Sequence, residues 1–187
     1  NLISGSGGSG VHLKGGSASG NTIQGNLIGA DATGTQRLLN QGHGVFIEGA
    51  PGNTVGGAQA GARNIISGNG NDVWQFMPAS AGHGVLIKDA AAANNTVQGN
   101  TIGPDAAGTQ KLRQVIRAVS TVYRISNTGF GIHILDAPNN VIGGATAAAR
   151  NLISGNEADG IAIYGATATG NVVKGNRIGA TLNGVDP

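Results

Sequence analysis

NTVQGNTIG, residues 95–103, carries two strand starts in nine residues. Each opens on Asn and sets an aliphatic side chain two places on: Val97 after Asn95, Ile102 after Asn100. The same frame stands at 21–29 as NTIQGNLIG and at 171–179 as NVVKGNRIG. Working outward, Asn followed two residues later by Ile recurs at Asn1, Asn26, Asn64, Asn100, Asn151 and Asn176. The NTVxG type recurs at Asn21, Asn53, Asn95, Asn140 and Asn171. A third segment, GVxIxG, alternates Val11/Leu13, Val45/Ile47, Val85/Ile87, Ile132/Ile134 and Ile161/Ile163. The three kinds follow one another in a fixed cycle: Asn-x-Ile, GVxIxG, NTVxG, and again.

A period-2 apolar pattern buries one face of a strand, and three such strands in every ~30 residues mark a solenoid. Successive turns stack at ~4.8 Å in parallel ladders, so Ile rests on Ile along a continuous interior. The Asn columns can stack their amides into hydrogen-bonded ladders at inward corners, and Gly at strand ends supplies the positive φ that tight corners need. The expected fold is an all-β parallel β-helix solenoid with three strands per turn and about five to six turns, forming one domain over 1–187.

These NxIxGN, GVxIxG and RNxISGN repeats resemble the right-handed parallel β-helix of the pectate-lyase-like superfamily, and in particular the Asn/Gly-rich repeat proteins of the bacterial secreted and surface type. The resemblance covers essentially the whole chain and implies fold, not activity. It also implies a secreted or cell-surface location and a longer parent protein. The start at NLISG, without Met, agrees with a processed or excised piece.

Composition narrows the function. Charged residues make up 11% of the chain and the formal net charge is +2, with Lys and Arg scattered. That is not the electrostatic footprint of a nucleic-acid binder. No long apolar run is present, so membrane insertion is not expected. The absence of Cys removes disulfides and thiolate metal sites.

The repeat is broken at one corner, between the Asn-x-Ile and GVxIxG strands. That corner is short in the first and last turns, as GSGGS and GNEAD, but carries insertions at 30–43, 69–83 and 104–130. Stacking places all three on one side. The second contains DVWQFMPASA (72–81) with the chain's only Trp and Met, Trp74 and Met77, beside Phe76; the third carries Arg113, Arg117, Tyr123 and Arg124. Aromatic rings stack on sugars and Arg grips carboxylate or sulfate in a fork. Trp74, Phe76, Arg113, Arg117, Tyr123 and Arg124, with His43 and His83, are therefore the candidate substrate-binding set for a polysaccharide or cell-surface glycan. A packing role competes with it. The outward column Leu2, Leu27, Ile65 and Leu152 needs cover, which Leu38, Leu39, Trp74, Phe76, Leu112, Val115, Ile116 and Val119 could give, the last four at amphipathic-helix spacing.

Asp89 and Asp136 end consecutive GVxIxG strands, so stacking brings their carboxylates to roughly 5 Å. Such a pair can run glycoside hydrolysis as nucleophile and acid/base, which makes them the candidate catalytic residues; each also suits an Asx-type turn, as in DAPNN. His43 and His83 stand in GHG motifs that resemble those of polygalacturonase-type β-helix hydrolases, but the chain has no NTD, no adjacent DD pair and no RIK segment. Two imidazoles without a third ligand predict no metal site. Arg63 and Arg150 recur in AR-N before a strand and read as structural repeat residues. SGNGNDVWQ resembles one calcium nonapeptide, with Ser67 in the first Gly place and Asp72 in the Asp place; a single copy completes no ion shell, so calcium is the only cofactor suggested and none is expected. Lys14, Glu48 and Lys88 form an outward column of alternating charge that favours register.

Three functions fit: an extracellular β-helix module presenting a glycan-contacting face, a small polysaccharide hydrolase or lyase using stacked carboxylates, and a structural spacer of a surface protein. Open solenoid ends add an expectation of end-to-end self-association.

Overall fold

The computed structural model describes residues 1–71, 81–116 and 121–181. The three motifs become three parallel sheets. The Asn-x-Ile motifs supply β1 (Leu2–Ile3), β4 (Leu27–Ile28), β7 (Ile65–Ile66), β10 (Thr101–Ile102), β15 (Leu152–Ile153) and β18 (Arg177–Ile178), paired in that order. GVxIxG motifs supply β2 (Val11–Lys14), β5 (Val45–Glu48), β8 (Val85–Lys88), β13 (Ile132–Leu135) and β16 (Ile161–Tyr164). NTVxG motifs supply β3 (Thr22–Ile23), β6 (Thr54–Gly56), β9 (Thr96–Gln98), β14 (Val141–Gly143) and β17 (Val172–Lys174). The chain is a parallel β-helix solenoid. None of the described residues forms a helix long and apolar enough to cross a membrane.

Register follows the motifs residue for residue. Ile28, Ile66, Ile102 and Ile153 lie in one column, Val45, Val85 and Ile132 in a second, Ile47, Ile87 and Ile134 in a third, and Val55, Val97 and Ile142 in a fourth. All are fully buried. The interior is therefore aliphatic and polar only at its corners.

Those corners are held by asparagine. In the first ladder, the Nδ2–H of Asn1, Asn26, Asn64, Asn100 and Asn151 each donates to the Oδ1 of the next Asn, ending at Asn176, over 2.8–3.1 Å. The same amides also donate back to the carbonyls of Ile23, Val55, Val97 and Ile142 at Asn64, Asn100, Asn151 and Asn176. Along the second ladder, the backbone N–H of Asn21, Asn53, Asn95 and Asn140 donates to the Oδ1 of the next Asn at 2.8 Å. A third ladder, not anticipated from the strand starts, runs Asn40, Asn69, Asn127, Asn156 with amide bonds of 2.8–2.9 Å. It occupies the corner that carries the insertions.

Close approach at these corners demands Gly. Gly56 has φ +83°, and a Cβ there would collide with the Gln98 carbonyl and the Asn100 amide of the next turn.

The insertions leave the third ladder intact: two precede their ladder residue, Asn40 and Asn127, and one follows Asn69. Two open with the same turn. Asp31 accepts the N–H of Thr35 and Gln36 at 3.1 and 3.0 Å, and Asp105 accepts that of Thr109 at 3.0 Å. The 104–130 insertion then forms an antiparallel hairpin, β11 (Leu112–Ile116) with β12 (Thr121–Ile125), rather than following its helical spacing. Leu112 is fully buried against the solenoid side at Gly68, and in the covered column Ile65 and Leu152 are buried while Leu2 stays 49% exposed. Leu112 and Ile116 are four apart and fit either period, Val115 fits the helical one alone, and pairing of the hairpin edge with residues 35–37 decides for strand.

Asn100→Leu removes the donor to Val55 and Asn151 and the acceptor for Asn64 in one step. Chemical denaturation is expected to show a loss of about 3 kcal/mol or more, since each orphaned buried group costs about 1–3 kcal/mol. Asn1→Ala at the exposed end of the ladder is expected to cost under ~1 kcal/mol. Equal losses at the two positions would refute the ladder as the source of stability.

Candidate functional site

Where the insertions rejoin the GVxIxG sheet, they leave a column of corner residues, Ser9, His43, His83, Phe130 and Asp159, each just before the Gly that opens a strand. Three places further on lies the first outward column of the sheet, His12, Phe46, Leu86, His133 and Ala162. The two columns interlock into a ladder of rings. His12 stacks on Phe46 with centroids 4.5 Å apart, His43 on His83 at 4.9 Å, and His83 on Phe130 at 5.0 Å. His133 meets His83 edge-on at 4.8 Å, and Tyr164 meets His133 at 5.4 Å and Phe130 at 6.0 Å. All four histidines of the chain are in this ladder.

Hydrogen bonds fix the tautomers. The His83 N–H donates to His43 Nδ1 at 3.1 Å and the Phe130 N–H to His83 Nδ1 at 3.0 Å, so both rings carry their proton on Nε2. His83 Nε2–H then donates to His133 Nδ1 at 3.2 Å. That leaves the Nε2–H of His133 buried with no acceptor among the described residues. His83 and His133 are only 8% and 9% exposed. Burial pushes His43 down to about 4 and His83 down to about 3, with repulsion among neighbouring imidazoles adding to it, and burial lowers His133 as well. The rings are neutral at pH 7.

The three insertions are also bonded to one another. Arg37 Nε donates to the Gly68 carbonyl at 2.9 Å, Nη2 to the Gly70 carbonyl, and Nη1 to Gln114 Oε1 at 2.9 Å. Its own N–H donates to the Arg113 carbonyl at 2.8 Å, and Ala106 N–H donates to the Gly34 carbonyl at 3.0 Å. One guanidinium thus ties all three insertions into a single wall. Arg113 and Arg124 are exposed on it, and Arg124 Nη1 reaches the Lys111 carbonyl at 3.5 Å. Lys111 in turn pairs with Glu157 at 2.8 Å. Tyr123 pairs with Gln114 across the hairpin. Trp74, Phe76, Met77, Asp72, Arg117 and Val119 lie outside the described residues.

Of the residues expected from sequence, His43 and His83 come together as anticipated. His12, Phe46, Phe130, His133 and Tyr164 were missed, although GVHLK, GVFIE and GIHIL display a ring at one outward place in three of five copies. Asp89 and Asp136 do occupy one corner in consecutive turns, with φ of 78° and 54°. Gly15, Gly49 and Gly165 hold the same left-handed corner in the other turns. Asp136 accepts from Thr167 N–H and Oγ1–H, both at 3.4 Å. Ser67 is fully buried and its hydroxyl donates to the Gly103 carbonyl. No group of three His, Asp or Glu placed to hold a metal occurs among the described residues. Glu48 bridges Lys14 at 3.1 Å and His12 at 3.0 Å, so neighbouring opposite charges of that column do meet.

Stability should carry the imprint of the ring ladder. Unfolded imidazoles take up protons from about pH 6.5 downward, whereas folded His43 and His83 resist until about 4 and 3. The stabilisation is therefore complete above pH 6.5 and declines as pH falls toward 4 and 3. Thermal midpoints measured from pH 6.5 to 5, above the carboxylate range, are expected to fall, and to fall less steeply in the double variant His43→Gln, His83→Gln. An unchanged slope would mean that the rings are charged in the folded protein.

No family model matches the chain, and no curated protein or solved structure matches it either.

Proposed function

We propose that the chain is a non-catalytic module of a secreted or cell-surface protein, a pectate-lyase-like solenoid that holds a polysaccharide along one side of a rigid rod. One observation carries this reading: Arg37 locks three insertions from successive turns into one wall, which runs directly onto the ring ladder through His43, His83 and Phe130. A spacer gains nothing from such an asymmetric, cross-braced face. A binding surface gains preorganisation, because groups already held in place lose little entropy when a ligand arrives.

The chemistry of the wall suits sugars. Rings in the middle of the ladder spend their faces on one another, but Tyr164 at its end is 50% exposed, which leaves ring surface for stacking on a sugar. Arg113 and Arg124 add cations that favour acidic groups. Trp74, Phe76 and Arg117 belong to the same insertions in sequence.

A polysaccharide hydrolase or lyase is the second reading, favoured by the recurrence of Asp89 and Asp136 at one corner of consecutive turns. Their left-handed backbone, shared with Gly at the equivalent corners, supports the turn role instead.

The deciding experiment joins retention on insoluble neutral and acidic polysaccharides to an assay for reducing ends and unsaturated products. Retention without product is expected. Tyr164→Ala and Trp74→Ala are each expected to weaken retention several-fold while the melting temperature stays within about 3 °C. Product release that disappears in Asp89→Asn or Asp136→Asn would transfer the function to the enzyme reading, and absence of both retention and product would leave the spacer.

A further inference from the structure

A second departure from the plain repeat lies at a different corner, where the NTVxG strand turns into the Asn-x-Ile strand. That corner is short at Gln24–Gly25, Gln98–Gly99 and Lys174–Gly175. In between, two longer turns of matching sequence replace it: GGAQAGAR over 56–63 and GGATAAAR over 143–150. They project on either side of the short corner at 98–99. Gly99 sits between them, its N–H donating to the Ala149 carbonyl at 3.1 Å and its Cα facing the carbonyls of Gly57 and Ala148. The result is a valley with a floor and two walls.

Three of the chain's eleven Lys and Arg residues meet there. A groove of about 210 Å³ is lined by Arg63, Asn100, Ala147, Arg150, Leu152 and Arg177. Another of about 250 Å³ adjoins it at Arg63, walled by the 57–61 turn and Ala148. Arg150 Nε donates to the Gly175 carbonyl at 3.0 Å, which ties its guanidinium to the next turn. No carboxylate pairs with Arg63 or Arg150 among the described residues. Arg63 and Arg150 precede ladder residues Asn64 and Asn151, which are two turns apart, and Arg177 lies one turn beyond Asn151 in the Asn-x-Ile sheet. The cations are thus strung along the solenoid axis over about three strand spacings of ~4.8 Å.

We infer that this valley is an oxyanion site for an acidic polysaccharide, with Arg63 and Arg150 taking carboxylate or sulfate groups from the two walls. Guanidinium forks match both groups, and a row of cations, rather than a ring of them, fits anions repeated along a polymer. The repeated Arg before the ladder Asn then has a ligand as well as a place in the fold. Nucleic acid fits less well: the lining offers no aromatic ring for bases, and the rest of the chain brings the net charge only to +2. The site is separate from the insertion wall and stands or falls without it.

Calorimetric titration with soluble polygalacturonate, dextran sulfate, neutral dextran and a single-stranded oligonucleotide tests the inference. The parent chain is expected to bind one or both acidic polysaccharides, more weakly as salt rises, and to ignore dextran. Arg63→Gln with Arg150→Gln, and separately Ala147→Glu, which places a negative charge in the groove and keeps every arginine, are each expected to weaken that binding at least ~10-fold. Lys88→Gln, a cation on the GVxIxG sheet outside both surfaces, is expected to leave that binding unchanged. Absence of binding to both acidic polymers, binding that survives Ala147→Glu in a chain that still folds by circular dichroism, or tighter binding of the oligonucleotide would each overturn the proposal.

Discussion

A carboxamide is a side chain that donates and accepts in one plane, and the whole molecule depends on that property. In the first ladder an inner Asn such as Asn100 gives an amide proton to the Asn of the next turn and receives one from the turn before, while its second N–H closes on a backbone carbonyl that the corner would otherwise leave bare. Satisfaction of one turn is thereby conditional on exact stacking of its neighbours. A slip of one residue would turn each Ile of the core outward and part each amide from its partner in the next turn. Aliphatic burial supplies the attraction between turns; the ladders choose the register.

Three ladders, one at each corner, also explain where the chain tolerates change. Insertions enter beside a ladder residue and never through it: before Asn40, after Asn69, before Asn127 at one corner, and before Asn64 and Asn151 at another. The interior is fixed by the requirement that every turn match the next. The outside is free to carry loops. This division lets a repetitive scaffold hold two unlike surfaces, a cross-braced wall with rings at one corner and an arginine-lined valley at the other.

The ring ladder shows what such stacking imposes on chemistry. Placing imidazoles in consecutive turns removes them from water and sets each against the others, and both effects favour the neutral form. Backbone N–H groups complete the arrangement by occupying Nδ1 of His43 and His83. These rings act as hydrogen-bonded packing elements at neutral pH, with the His133 Nε2–H as their one buried donor without an acceptor among the described residues. Of this, the sequence discloses the GHG pair and the outward rings His12, Phe46 and His133, but not that the two columns interlock. Corner residues and strand residues three places apart meet side by side only once the strand direction and the corner angle are known, so His43 with Phe46, or Phe130 with His133, belongs to no periodicity that a linear reading follows.

By itself the sequence determined the solenoid, its three sheets, its register and the position of its insertions, because a repeat states the same local conditions five times over and each copy confirms the others. Tertiary structure alone decided the rest. Beyond their shared opening turn nothing repeats in the insertions, so the pairing of β11 with β12 and the reach of Arg37 depend on what each segment meets across the surface. The same is true of the valley between 56–63 and 143–150, where two segments 87 residues apart in sequence become neighbours because the solenoid brings every third strand back to the same side.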